Sequence, residues 1–366
     1  MTINKAILKE TVPPHPKQTG DLLGHTDAEV TLRHAWESGR LPHAWLITGL
    51  RGIGKATLAY RMATFALCDQ LGKNLTGDLA VGLHVPLDAP EVRDVAMGSH
   101  PDLYVLEPGQ RNPDTNTISH DIVVGQVRQA SHFCFMTPAR AAWRVIVVDP
   151  ADEMTSSAAN ALLKLLEEPP PQALLLLISH APARLLPTIR SRCAQLALSP
   201  LPDREVQTRL QIHRPDIPDT DAAILARLAE GSIGIAFELA RAGGLDLYRD
   251  LIALLGGMPR IDADRLHAFA EKMSQGGEAG TFRLGTRLLQ WWIGRMTRAG
   301  AIAQYPSPII PEETSVMQHL LSRVALEQWL ELWEKIGHLA VDAEQRHLDR
   351  KQVVLTLFLE IEALTA

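Results

Sequence analysis

Four short, strongly apolar runs set the limits on what this chain can become: HAWLITG (43–49), DLYVLEP (102–108), RVIVVDP (144–150) and ALLLLISH (173–180). Each has the length of a strand, and the last two are apolar almost without break, as strands covered on both faces require. Between them lie stretches with helical spacing. AEVTLRHAWESG (28–39) ends at Gly39, and ATLAYRMATFALCDQL follows the first run. IVVGQVRQASHFCF precedes the third run. SSAANALLKLLEEPPP (156–171) has apolar residues at 159, 162, 163 and 166 and is stopped by prolines. Strands and helices in alternation predict an α/β fold, a parallel sheet with helices on both faces.

After about residue 200 the pattern changes to helices alone, with Gly243-Gly244 as a break. The expected organisation is an α/β domain over 1–200, a small helical domain over 201–244 and a larger helical domain over 245–366. Trp291 and Trp292 fall on a helix of the last part, where aromatic side chains serve packing inside a bundle or between subunits. With a net charge of −6, the chain is not expected to grip nucleic acid alone by neutralising many phosphates. Arg140 and Arg144, beside the third apolar run, suit a solvated or interface pair or a phosphate contact. The three cysteines, Cys68, Cys134 and Cys193, are too scattered for a disulfide framework or a four-cysteine zinc site. No apolar run is long enough for a membrane span, and the first twenty residues lack a signal's apolar core, so a cytoplasmic location is expected.

The first strand runs into GLRGIGKAT. Gly49, four residues, Gly54 and Lys55 match the first seven positions of a phosphate-binding loop, in the strand–loop–helix context such a loop needs. Glycines let successive N–H groups turn toward phosphate oxygens, and the next helix aims its positive end at the same point. The eighth position breaks the pattern. Ala56 stands where a Ser or Thr hydroxyl would coordinate Mg²⁺, and Thr57 lies about 100° further around the helix. Asp149 ends the third strand and suits a metal-binding acid, but Pro150 follows where a water-activating glutamate belongs. Asp152 and Glu153 are expected to point elsewhere. Losing hydroxyl and base together costs several orders of magnitude in rate, so useful hydrolysis by this chain alone is not expected.

GLRGIGKAT, VVDPADEMTSSAANALLKLLEEPPP and LLPTIRSRCAQLAL, in that order, resemble the AAA+ clamp-loader family over roughly residues 20–240. The resemblance implies an AAA+ P-loop domain, a helical lid and a helical collar. It matches Ser191-Arg192-Cys193 to a motif whose arginine reaches the ATP of a neighbouring subunit, a task suited to a permanently charged fork. Ser179 falls near the family's sensor-one residue. Gly234, in EGSIGIAFELA, stands where hydrolysing subunits carry the sensor-two arginine. Family members often carry four zinc-binding cysteines after the first helix. Here only Cys68 remains with His84 and His100, so no zinc is expected. The implied role is a non-hydrolysing subunit that gives Arg192 in trans. Its partners would be ATPase subunits of the gamma/tau type, a delta-type subunit, the sliding clamp and primed DNA, with no membrane. Polymerisation itself would reside in another subunit. A degenerate nucleotide site is expected over Gly49, Gly52, Gly54, Lys55, Ala56, Thr57, Asp149 and Ser179, with ATP or ADP and Mg²⁺ as candidate but not required ligands. The alternatives are an autonomous P-loop NTPase using Lys55 and Asp149, or a hydrolysing clamp-loader motor.

Overall fold

The structure is a computed structural model describing residues 15–19, 22–68, 82–86, 88–111, 118–274, 280–346 and 348–366. It divides into two compact units, the first formed by residues 1–202 with 231–234, the second by 203–230 with 235–366.

In the first unit the elements run α1 (Thr26–Glu37), β1 (Ala44–Thr48), α2 (Lys55–Leu67), α3 (Pro90–Met97), β2 (Leu103–Leu106), α4 (Val124–Phe135), β3 (Arg144–Val148), α5 (Ser156–Glu167), β4 (Ala173–Ser179), α6 (Pro187–Arg190) and β5 (Ala194–Ala197). The five strands pair in parallel in the order β2-β3-β4-β1-β5. Leu46 of β1 faces Leu177 of β4, and Val147 of β3 faces Leu176. Because side chains alternate along a strand, one set packs on α2 and the other on α4 and α5. Trp45, Ile47, Val145, Val147, Leu174 and Leu176 meet Leu58, Met62 and Phe65 on one face. Leu46, Ile146, Val148, Leu175 and Leu177 meet Val127, Ala130, Leu162 and Leu165 on the other. This double covering is why β3 and β4 read as continuous apolar runs.

Two elements were not legible as such. β5, the segment AQLA, is half exposed at the sheet edge and lacks an apolar run. α3 is a two-turn helix inside a mixed stretch, started by Pro90 and ended by Gly98 at φ 70°. The expectation for Arg144 as a solvated or phosphate-binding group is also corrected. It is a buried residue of β3 whose guanidinium donates to Met136 O and Thr137 O, 3.8 Å from Asp102, and lies over the Phe133 ring. Asp102 itself is fully buried and accepts from the backbone N–H of Ala139, Arg140 and Ala141 at 2.6, 2.8 and 2.8 Å. Arg140 pairs with Asp94 and Glu91 of α3.

The described elements of the second unit are helical: Asp203–His213, Asp219–Leu228, Ile233–Arg241 (whose first two residues belong to the first unit), Gly244–Gly256, Ala263–Ser274, Gly280–Ile302, Glu313–Leu321, Leu326–Gln345 and Arg350–Thr365. Trp292, Trp329, Tyr248 and Phe358 are among its fully buried side chains. Glu313, also buried, is neutralised by Arg295 and accepts from Tyr248 Oη at 2.6 Å and Ile309 N at 2.5 Å. Trp292 is sealed in this core, whereas Trp291 lies against Tyr248 and the Arg295 guanidinium. Among the described residues no helix is long and apolar enough to cross a membrane.

Candidate functional site

All strands being parallel, β1, β3 and β4 end on the same edge of the sheet, where ligands of open α/β sheets are held. There β1 passes into the glycine loop, β3 into Asp149 and β4 into Ser179 and His180. Gly49, Gly52 and Gly54 have φ values of 142°, 77° and 111°, a region other residues enter only with strain. A Cβ on Gly49 would also lie 2.7 Å from Leu198 O.

The loop's carbonyls are accounted for one by one. Lys55, only 2% exposed, turns its ammonium back to Gly49 O at 2.7 Å and Leu50 O at 2.6 Å. Ser232 Oγ donates to Arg51 O at 2.7 Å and Gly234 N to Gly52 O at 2.9 Å. His25 Nε2 lies 2.7 Å from Ile53 O. Five successive carbonyls are thus fastened, three of them from outside the loop and two by Lys55, the lysine meant to reach phosphates.

Burial lowers the Lys55 ammonium to about 8, with Asp149 and Asp152 opposing that shift. Burial likewise raises the Asp149 carboxyl to about 6, with Lys55 pulling it down and Glu107, Glu153 and Asp152 pushing it up. The Asp149 N–H is held by Leu106 O at 2.9 Å. Asp152 does not point away, as the sequence suggested. The turn Ala151–Glu153 brings it back across the sheet edge, where its Oδ1 accepts from His180 N at 2.9 Å. His180 was missed altogether. Its ring is kept neutral, at about 4, by burial and by the nearby Lys55 charge. Its only signal was its place directly after Ser179 at the end of an apolar strand. Ser179 Oγ and His180 Nδ1 are buried without a hydrogen-bond partner among the described residues.

Ala56 has no hydroxyl to offer, and Thr57 is buried. With Lys55 turned inward, Ala56 in the hydroxyl position and Pro150 after Asp149, the residues do not fit a hydrolytic Mg²⁺–nucleotide centre. Arg192 lies just after α6. Its side chain is 36% exposed, with Nη1 donating to Thr188 O at 3.0 Å and Nη2 2.7 Å from Glu167 Oε1. Its neighbour Cys193 is buried, which pushes the thiol up to about 11.

The parallel sheet, the glycine loop leaving β1 between β4 and β5, and the helix that starts at Lys55 define a P-loop α/β fold. Residues 24–202 match the family model described as "DNA polymerase III, delta subunit". The chain is 37% identical over 225 residues to DNA polymerase III subunit delta' of Pseudomonas aeruginosa, covering 62% of this chain and 56% of that protein. It is 34% identical over 206 residues to subunit delta' of Escherichia coli, covering 56% of each. It is also 29% identical over 267 residues to subunit tau of Escherichia coli, covering 70% of this chain and 38% of that protein. The matches span a little over half the length of the delta' relatives. Over the matched residues this chain is similar to the delta' subunits of DNA polymerase III.

Proposed function

We propose that this chain is a non-hydrolysing, delta-prime-like subunit of the clamp-loader complex of DNA polymerase III. In this role it helps place the sliding clamp on primed DNA and gives Arg192 to the ATP site of a neighbouring gamma/tau-type subunit. The observation that carries the reading is a contrast between two cations. Lys55 is buried and bonded to its own loop, while the Arg192 guanidinium stands at the surface with N–H groups to spare.

The chemistry follows from that contrast. Phosphoryl transfer develops charge on the transferred group, and an arginine supplied across an interface stabilises it. A donor of this kind makes hydrolysis wait for assembly. The lost hydroxyl, base and sensor arginine then cost the assembly nothing, because the reaction occurs in the partner. The nucleotide site of this chain serves as scaffold and needs neither ATP, ADP nor Mg²⁺. Zinc has no role.

Reconstitution tests the proposal. Gamma/tau-type and delta-type subunits are mixed with clamp and primed DNA, with and without this chain, and clamps retained on DNA are counted. The chain should co-sediment with the other subunits and raise loading severalfold. Failure to join the assembly, or steady ATP turnover by the chain alone, would refute it and restore an autonomous P-loop NTPase.

A further inference from the structure

Glu167 is the last residue of α5, half exposed, and its carboxylate faces the negative end of that helix's dipole. Helix stability favours a cation at this position, so the residue serves some other need. The contact it makes is with Arg192: Glu167 Oε1 and Thr188 O engage Nη2 and Nη1 respectively, from two different elements. A guanidinium has five N–H donors. One donates to Thr188 O and Nη2 is ion-paired with Glu167, so further N–H groups are left for a third partner.

We infer that Glu167 is a positioning residue for Arg192, fixing the rotamer in which the guanidinium is offered to the neighbouring subunit's triphosphate. The inference rests on the reading of Arg192 as a donor in trans. A long side chain free to sample its rotamers reaches the required geometry only part of the time, and one anchored at both terminal nitrogens does so from the outset. The benefit falls on the transition state, where the partner's phosphoryl group carries the most charge, and so appears in kcat rather than KM. Electrostatics alone predicts the opposite sign. A carboxylate beside the guanidinium weakens its field at a phosphate, so a merely electrostatic Glu167 would make its removal beneficial.

The test is ATP turnover by the full assembly with clamp and primed DNA, using wild-type chain, Glu167→Gln, Glu167→Asp, Arg192→Ala and the Glu167→Gln/Arg192→Ala double variant. Sedimentation confirms equal assembly. Glu167→Gln should lower kcat on the order of tenfold with KM for ATP unchanged, and Glu167→Asp should recover part of the loss. On the Arg192→Ala background Glu167→Gln should have no further effect, which a general structural role would not produce. Unchanged or raised kcat in Glu167→Gln, or an equal loss on both backgrounds, overturns the inference while leaving Arg192 as donor. Indifference to Arg192→Ala overturns the donor reading and the inference together.

Discussion

Gly234, which the sequence resemblance matches to the position of a sensor arginine, has a task of its own in the structure. A Cβ on Gly234 would lie 2.8 Å from Gly52 Cα and 3.2 Å from Gly52 O. Both are backbone atoms of the glycine loop, so no side-chain rotation relieves the clash. Substitution by alanine gains about 1 kcal/mol of helix propensity, because Gly234 lies in the helix Ile233–Arg241. Against this stand about 1–3 kcal/mol of overpacking and about 1 kcal/mol for the Gly234 N–H to Gly52 O bond. The net expectation for Gly234→Ala is a loss of roughly 1–3 kcal/mol, or a fall of about 2–10 °C in the melting temperature of the unit concerned. Gly234→Arg carries the same Cβ and should lose at least as much, without acquiring affinity for ATP. Circular dichroism melts and a titration with a fluorescent ATP analogue measure both quantities. A Gly234→Ala protein that melts at or above wild type, or a stable Gly234→Arg protein that binds ATP more tightly, refutes the close-approach argument.

Asp102→Asn should destabilise the first unit by roughly 2–4 kcal/mol in urea unfolding, since one amide cannot replace a carboxylate that accepts three backbone bonds beside Arg144. Asp149 predicts a pH effect of definite sign. With its carboxyl raised from 3.8 to about 6 by burial, the folded chain keeps a proton that the unfolded chain releases. Stability relative to Asp149→Asn therefore falls as pH rises from about 4 to 6, by on the order of 3 kcal/mol, and is flat above that; no fall in this window contradicts it. Addition of a strong chelator should leave the melting temperature unchanged, because of the four zinc cysteines in the pattern that the resemblance implies only Cys68 is present; a drop of several degrees would show a structural metal.

The parallel sheet was legible because strands covered on both faces must be apolar throughout, as in RVIVV and ALLLLI. β5 escaped because an edge strand with alternating exposure has no such requirement, and AQLA is only four residues long. The glycine loop could be placed to the residue, since positive φ at 49, 52 and 54 demands glycine. What the sequence could not convey was where the loop's partners come from. Ser232 and Gly234 lie some 180 residues away, and His25 lies before the first strand, yet all three bond to loop carbonyls. Asp152 was misjudged for a related reason: distance along the strand says little once a turn folds the side chain back toward His180. Arg144 read as a surface cation because arginine seldom sits inside a sheet, and only the buried Asp102 with the carbonyls of 136 and 137 explains it.

The central claim is that the cation doing chemistry in this chain is Arg192 and that it acts in a partner's site. It is tested most directly by ATP turnover in the reconstituted clamp loader with clamp and primed DNA, comparing wild-type chain with Arg192→Ala after equal assembly is confirmed. The account predicts a silent isolated chain and a loss of about 10³-fold or more at the site that Arg192 faces. Turnover indifferent to Arg192, or robust turnover by the isolated chain, would contradict it and return Lys55 to the centre of the chemistry.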